Sequence, residues 1–261
     1  DYSTPQVHIY ATNGTPKETF GSNGAGVGQF VFIFGMDFDS AGNFYAADEG
    51  NNRVDKWYLC GNAVTPTYTP TIEVTPCLTP GFSWSGNMNA PAALTLNKDG
   101  NIYVMNFGNR QIQAFTTGGV FVRQFSVASS GLNGMVSGTD GNLYISDAGN
   151  KRIDVMSPQG VLGSTIGSGI FGGPQGIAVD TAGNIYVADT SNNVVREFAE
   201  NGAALNVFGV GVAGAYLGQL RSPYSVAVDG QGNVYVYDKG NSRVEVFNSS
   251  ALAQRTWPEL S

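Results

Sequence analysis

Hydrophobic positions along the chain fall in short runs of β-branched and aromatic residues bounded by turn formers, a pattern of strands and not of helices. The clearest stretch runs Pro174-Gln-Gly-Ile-Ala-Val-Asp180, then Gly183-Asn-Ile-Tyr-Val-Ala-Asp189, then Asn192-Asn-Val-Val-Arg-Glu-Phe198. Ile177 to Val179 and Ile185 to Val187 predict the first two strands of a unit, joined by a turn from Asp180 to Asn184. Gly183 takes a positive φ there without a Cβ penalty, and Asp180 accepts from amides just downstream. The turn recurs at Asp39 to Asn43, Asn97 to Asn101, Gly138 to Asn142 and Asp229 to Asn233. A third strand follows a second tight turn, with an apolar residue three places before an aromatic one, as in Val54 and Trp57, Ile112 and Phe115, and Val244 and Phe247. Met156 takes the aromatic place in the third copy.

The glycine–asparagine pairs beginning at Gly42, Gly100, Gly141, Gly183 and Gly232 are 58, 41, 42 and 49 residues apart. That period is the length of one four-stranded propeller blade. One tyrosine per copy keeps its place, at Tyr45, Tyr103, Tyr144, Tyr186 and Tyr235. These rings are expected in the core between neighbouring sheets, with each hydroxyl on a partner at the rim. The copies resemble the NHL-repeat family of β-propellers, whose blade reads approximately Pro-x-Gly-Ile-Ala-Val-Asp, Gly-Asn-Ile-Tyr-Val-Ala-Asp and Asn-x-Arg-Val-x-x-Phe. The fourth and fifth copies match it almost letter for letter, and the resemblance runs through nearly all of residues 1–261. It implies one all-β domain, an NHL-type propeller of five full four-stranded blades. It leaves function open, because that scaffold hosts protein-binding, RNA-binding, sensor and lyase members.

Residues 1–30 do not begin with a first strand. Gln6 to Tyr10, Asn13-Gly14 and Lys17 to Gly21 match the third and fourth strands of a copy, so the N-terminus supplies an outer-strand hairpin, half of a sixth blade. The C-terminus after Phe247 has room for one outer strand, near Leu252 to Trp257. Three arrangements follow: the hairpin docks as an incomplete sixth blade, it is appended to a five-bladed ring, or another subunit completes it by β-strand addition. In the last case Val7, His8, Ile9 and Tyr10 are the assembly strand.

Residues 58–89 form a Pro/Thr-rich insertion with an extended, polyproline-like character. Thr65, Thr69, Thr75 and Thr79, each followed by proline, are candidate glycosylation sites, and the segment is a candidate partner-contacting arm. Cys60 and Cys77 lie within it and read as a disulfide, hence an exported, extracellular or cell-surface location. Starting at Asp1 without Met, the chain reads as a mature product. A net charge of −7 disfavours nucleic acid as partner, since phosphate binding needs clustered Lys and Arg. No run of eighteen apolar residues predicts a membrane-spanning helix.

Catalytic chemistry has few carriers. The one histidine, His8, lies on the outer hairpin, which leaves no imidazole for a channel zinc site or a Ser-His-Asp set. Two Gly-x-Gly-x-x-Gly runs, at Gly167 and Gly209, are followed by strand patterns instead of the helix a dinucleotide needs, so they read as linkers. Asp37, the one acid at the middle of an innermost strand, is the candidate channel ligand for Ca²⁺. The face built from loops into strand one and between strands two and three is expected to carry Phe34, Asn133, Gln175 and Tyr224, with Glu49, Phe107, Ser191 and Lys239. Its aromatics suit a protein or glycan partner. The reading that follows is a non-catalytic exported scaffold or protein-interaction module, self-assembling through its N-terminal hairpin. The alternatives are a propeller lyase or hydrolase with a calcium site, and a receptor's sensor domain.

Overall fold

The computed structural model describes residues 5–59, 78–129 and 131–258, and all of its ladders but one short pair are antiparallel. The chain opens with the hairpin β1 (Val7–Tyr10) and β2 (Pro16–Phe20), then the short parallel pair β3 (Ser22–Asn23) and β4 (Gln29–Phe30). Blade one is β5 (Ile33–Phe38), β6 (Phe44–Asp48), β7 (Arg53–Leu59) and β8 (Leu78–Trp84). Blade two is β9 (Pro91–Leu96), β10 (Asn101–Asn106), β11 (Gln111–Thr116) and β12 (Phe121–Ser126). Blade three is β13 (Leu132–Ser137), β14 (Leu143–Asp147), β15 (Arg152–Met156) and β16 (Leu162–Ile166). Blade four is β17 (Pro174–Val179), β18 (Ile185–Asp189), β19 (Val194–Phe198) and β20 (Ala204–Phe208). Blade five is β21 (Pro223–Val228), β22 (Val234–Asp238), β23 (Arg243–Phe247) and β24 (Ala253–Pro258). Because Leu78–Trp84 is the fourth strand of blade one, the excursion expected over 58–89 narrows to residues 60–77, which lie outside the described residues together with Cys60, Cys77, Thr65, Thr69 and Thr75.

Turn chemistry explains why each copy folds alike. Asp39 accepts from the amides of Ala41 and Asn43 at 3.0 and 2.8 Å and from the Tyr45 hydroxyl at 2.9 Å. Asp180 and Asp229 repeat this with Tyr186 and Tyr235, and Asp99 and Asp140 do so for Tyr103 and Tyr144. The rim partner expected for each tyrosine is therefore the turn acid of its own blade. A second acid closes the strand-two end in four blades, with Asn106 in its place in blade two: Asp189 accepts from the amides of Gly172 and Gly173, from the Asn192 side-chain amide and from Arg196. Arg53 and Arg243 reach further and donate to the carbonyls of the preceding glycine-rich linkers, at Ala25 and Gln29 and at Ala215 and Gln219.

Apolar clusters occupy the four seams between successive blades, built from the tyrosine face of one sheet and strand-one and strand-two residues of the next. Close approach at these seams requires small residues. An added Cβ at Gly35, Gly134 or Gly176 would sit 2.6 or 2.7 Å from the next innermost strand. The fifth cluster joins Val7 and Phe20 of the hairpin to Phe44 and Trp57 of blade one. On its other side the hairpin turn meets blade five, where Gly14 lies against Trp257 and Arg255 donates to the carbonyl of Thr12 at 2.7 Å. Gly119 on Trp84 and Gly160 on Phe125 are the same contact between successive complete blades. The hairpin thus docks as the outer half of a sixth blade.

One buried acid gives the fold a pH dependence. Burial pushes the carboxyl of Asp55 up to about 7 although Arg53 lies 3.0 Å away, and neighbouring Asp48 adds to the rise. A raised carboxyl favours the folded chain below its unfolded value near ~4 and is lost as pH climbs toward about 7. Wild-type stability relative to Asp55→Asn is therefore expected to fall by roughly 1–2 kcal/mol between about pH 4 and pH 8, after screening. Calorimetric melts of both proteins across that range check it, and a pH-independent difference would refute it.

Candidate functional site: the channel and the open sixth position

The innermost strands β5, β9, β13, β17 and β21 pack side by side in that order, and no comparable packing joins β21 back to β5 among the described residues. They surround a cavity of about 550 Å³ that extends into the gap between β21 and β5, bounded there by Met36, Ala227 and Tyr237. Its lining consists of apolar, amide, hydroxyl and backbone groups. Among the described residues it holds no carboxylate, imidazole, ammonium, guanidinium or thiol.

Phe34, Asn133, Gln175 and Tyr224 do meet on this cavity, as equivalent residues of four innermost strands. Asn133 is tied down by donating to the carbonyl of Pro174 at 3.2 Å. Glu49, Phe107, Ser191 and Lys239 lie on the connections between strands two and three and do not line it. Of these, Lys239 comes nearest in chemistry, with its ammonium 4.4 Å from the centre of the Tyr224 ring.

Asp37 is turned sideways into the seam between blades one and two. Its carboxylate accepts the amide protons of Leu96 and Phe38 at 2.8 Å each and the Thr95 hydroxyl at 3.3 Å. Thr95 in turn accepts the Ser137 amide at 3.0 Å, so one polar chain crosses three innermost strands. Burial raises the Asp37 pKa, and these three hydrogen bonds oppose the rise. Among the described residues no group of three or more His, Cys, Asp or Glu side chains stands together.

The sixth position is where the sequence pattern and the ring part company. In complete blades the third strand is laddered on both edges, as β7 is by β6 and β8. β1 holds the third-strand place of the sixth blade and pairs with β2 alone among the described residues. Val7 is buried, Ile9 and Tyr10 are half-buried, and His8 is exposed with Nδ1 2.9 Å from the Thr19 hydroxyl. Facing the gap, Ser225 stands where three other blades have the seam glycine, and it is exposed.

Comparison with known proteins bears on the fold. The NHL repeat family matches residues 171–198 and 220–247. No curated protein sequence matches the chain. Among solved structures, the virginiamycin B lyase from Staphylococcus aureus superposes with a TM-score of 0.70 at 12% identity, covering 100% of this chain and 80% of the lyase. A nidogen/laminin complex gives 0.71 at 16% identity, covering 97% and 89%. A functionally unknown protein from Desulfotomaculum acetoxidans gives 0.68 at 16%, covering 99% and 78%. At such identities these likenesses speak for the fold alone. No helix is long and apolar enough to cross a membrane among the described residues. Repeat match, five in-register four-stranded sheets and superposition agree: this chain is a β-propeller that carries NHL repeats in blades four and five.

Proposed function

We propose that the protein is an exported binding module, an extracellular scaffold whose copies associate by β-strand addition at the sixth position. The observation that carries this reading is β1, a strand whose inner edge has no ladder partner among the described residues. Unpaired N–H and C=O groups on such an edge recruit another strand.

Among the described residues the cavity lining is uncharged, which favours binding over turnover, because proton transfer needs a group that titrates near working pH. A lyase sharing this fold is catalytically inactive with a histidine changed to alanine, whereas the one histidine here is on the outer hairpin. A propeller neighbour solved in a nidogen/laminin complex supports a protein partner. Phe34, Tyr224, Asn133 and Gln175 at the cavity suit a peptide or glycan contact. The Cys60–Cys77 disulfide and glycans on the Thr-Pro residues belong to the same proposal. Of those residues only Thr79 is described, and it is exposed on β8.

Mass photometry and negative-stain electron microscopy from nanomolar to micromolar protein are expected to show oligomers that grow with concentration. Single particles at every concentration would retire self-association and leave only the binding role.

A further inference from the structure

The turn between strands three and four recurs in every unit, and in two of them its residues carry chemistry that the fold leaves unused. In the N-terminal hairpin it reads Asn13-Gly14-Thr15, and in blade five Asn248-Ser249-Ser250. Both fit Asn-x-Ser/Thr, the pattern at which an exported chain accepts an N-linked glycan on a surface loop. The motif is short, and what decides is whether the side-chain amide is presented.

Asn13 presents it. Asn13 and Thr15 are both exposed in the turn that joins β1 to β2. The Asn13 Oδ1 accepts the Thr15 amide proton at 3.0 Å, which fixes the side chain across the turn. Gly14, at a φ of +86°, allows the turn, and its amide donates to the Ala11 carbonyl at 2.8 Å. Neither the Asn13 Nδ2 nor the Thr15 hydroxyl has a hydrogen-bond partner among the described residues. Where asparagines close other turns that nitrogen is taken: Asn43, Asn184 and Asn233 donate it to their turn acids at 2.8, 2.9 and 2.8 Å. Asn248 is less open, since it is half-buried and its Oδ1 holds the amides of both Ser250 and Leu252 at 3.0 Å.

Blade four provides an internal comparison. Its turn reads Asn201-Gly202-Ala203, with Gly202 at a φ of +85° and the Ala203 amide donating to the Asn201 Oδ1 at 3.0 Å. Asn201 and Ala203 are exposed as well. The turn therefore matches that of Asn13 in geometry and lacks only the hydroxyl.

We propose that Asn13 is an N-glycosylation site, with the turn presenting its amide and the Thr15 hydroxyl completing the recognised motif. The co-reactant is an oligosaccharide carried on a lipid pyrophosphate. The Asn13 Nδ2 loses one proton and bonds to the anomeric carbon, while the bond from that carbon to the pyrophosphate oxygen breaks and the lipid pyrophosphate leaves with the electron pair. This rests on the exported reading above, because the motif is acted on in exported chains.

The test reads glycopeptides by mass spectrometry from protein recovered at the surface or in the medium of its own source. The Asn13 peptide is expected to carry added saccharide mass, retained on Asn13 under electron-transfer fragmentation. Thr15→Ala, produced in the same cells, is expected to lose it altogether, because the variant keeps both backbone bonds of the turn and removes only the hydroxyl. Ala203→Thr is expected to gain a second glycan, on Asn201. Thermal melts matching wild type establish that both variants fold. Exported protein with a bare Asn13 overturns the proposal and leaves the exported reading standing, whereas protein found only in the cytosol overturns that reading and this one with it. A glycan that persists in Thr15→Ala, or an Asn201 that stays bare in Ala203→Thr, overturns the assignment to this turn and its hydroxyl.

Discussion

Asp189→Ala is expected to cost about 3–5 kcal/mol of stability, lowering the melting temperature by on the order of 10 °C for a chain of this size. The carboxylate is fully buried and holds four partners: the amides of Gly172 and Gly173 at 2.9 and 3.0 Å, the Asn192 side chain at 2.7 Å and Arg196 at 2.9 Å. Alanine leaves a half-buried guanidinium without its counter-charge and two linker amides without an acceptor, and such losses cost more than the bonds contribute when intact. Asp189→Asn is expected to cost much less, about 1–2 kcal/mol, because Asn106 fills the same place in blade two and still accepts the Asn89 amide at 3.2 Å. Equal losses for Ala and Asn in chemical denaturation would show that the linker amides do not matter. The same acid recurs as Asp48, Asp147 and Asp238, which accept from the Val31 amide, the Ser129 hydroxyl and the Arg221 amide, so its role is to fasten the entry loop to the second strand.

Gly176→Val and Ser225→Val occupy the same place in successive blades and are expected to diverge sharply. A Cβ at Gly176 would fall 2.6 Å from the Ser225 Cα and 2.8 Å from the Tyr224 carbonyl, and backbone cannot rotate out of the way as a side chain does. Forcing blades four and five apart is expected to cost about 3 kcal/mol or more. Ser225 faces the gap, where no innermost strand follows, so valine there is expected to change stability by no more than about 0.5 kcal/mol. Similar losses at both positions in denaturant melts would mean that the ring is sealed at β21 and that the sixth position is not open. The pair therefore tests the open position without requiring assembly.

Much of the fold was legible residue by residue. Asp39, Asp180 and Asp229 announced their turns because a short carboxylate and a following glycine select that backbone locally. The five tyrosines were legible as core with a polar partner, although the partner is the turn acid of the same blade, placed by the second-strand register. Asp37 was not legible. Read along its strand it points to the channel, and only the packing of β5 on β9 shows that its carboxylate meets the Leu96 amide in the seam. Phe34 was expected on a binding face with Tyr224, and it lines the cavity, but it also belongs to the apolar stripe that bounds the gap.

By itself the sequence determined the blade, its number of full copies and the half-copy at the N-terminus, because strand alternation and turn residues act over a few neighbours along the chain. Tertiary structure alone decided where that half-copy goes. Gly14 against Trp257 and Phe20 against Phe44 and Trp57 join residues more than twenty places apart, and burial of those rings selects the docked sixth place over an appended hairpin. The uncharged cavity and the uncovered face of β5 follow from the same docking, since neither exists until five innermost strands are drawn round one axis and a sixth is left out.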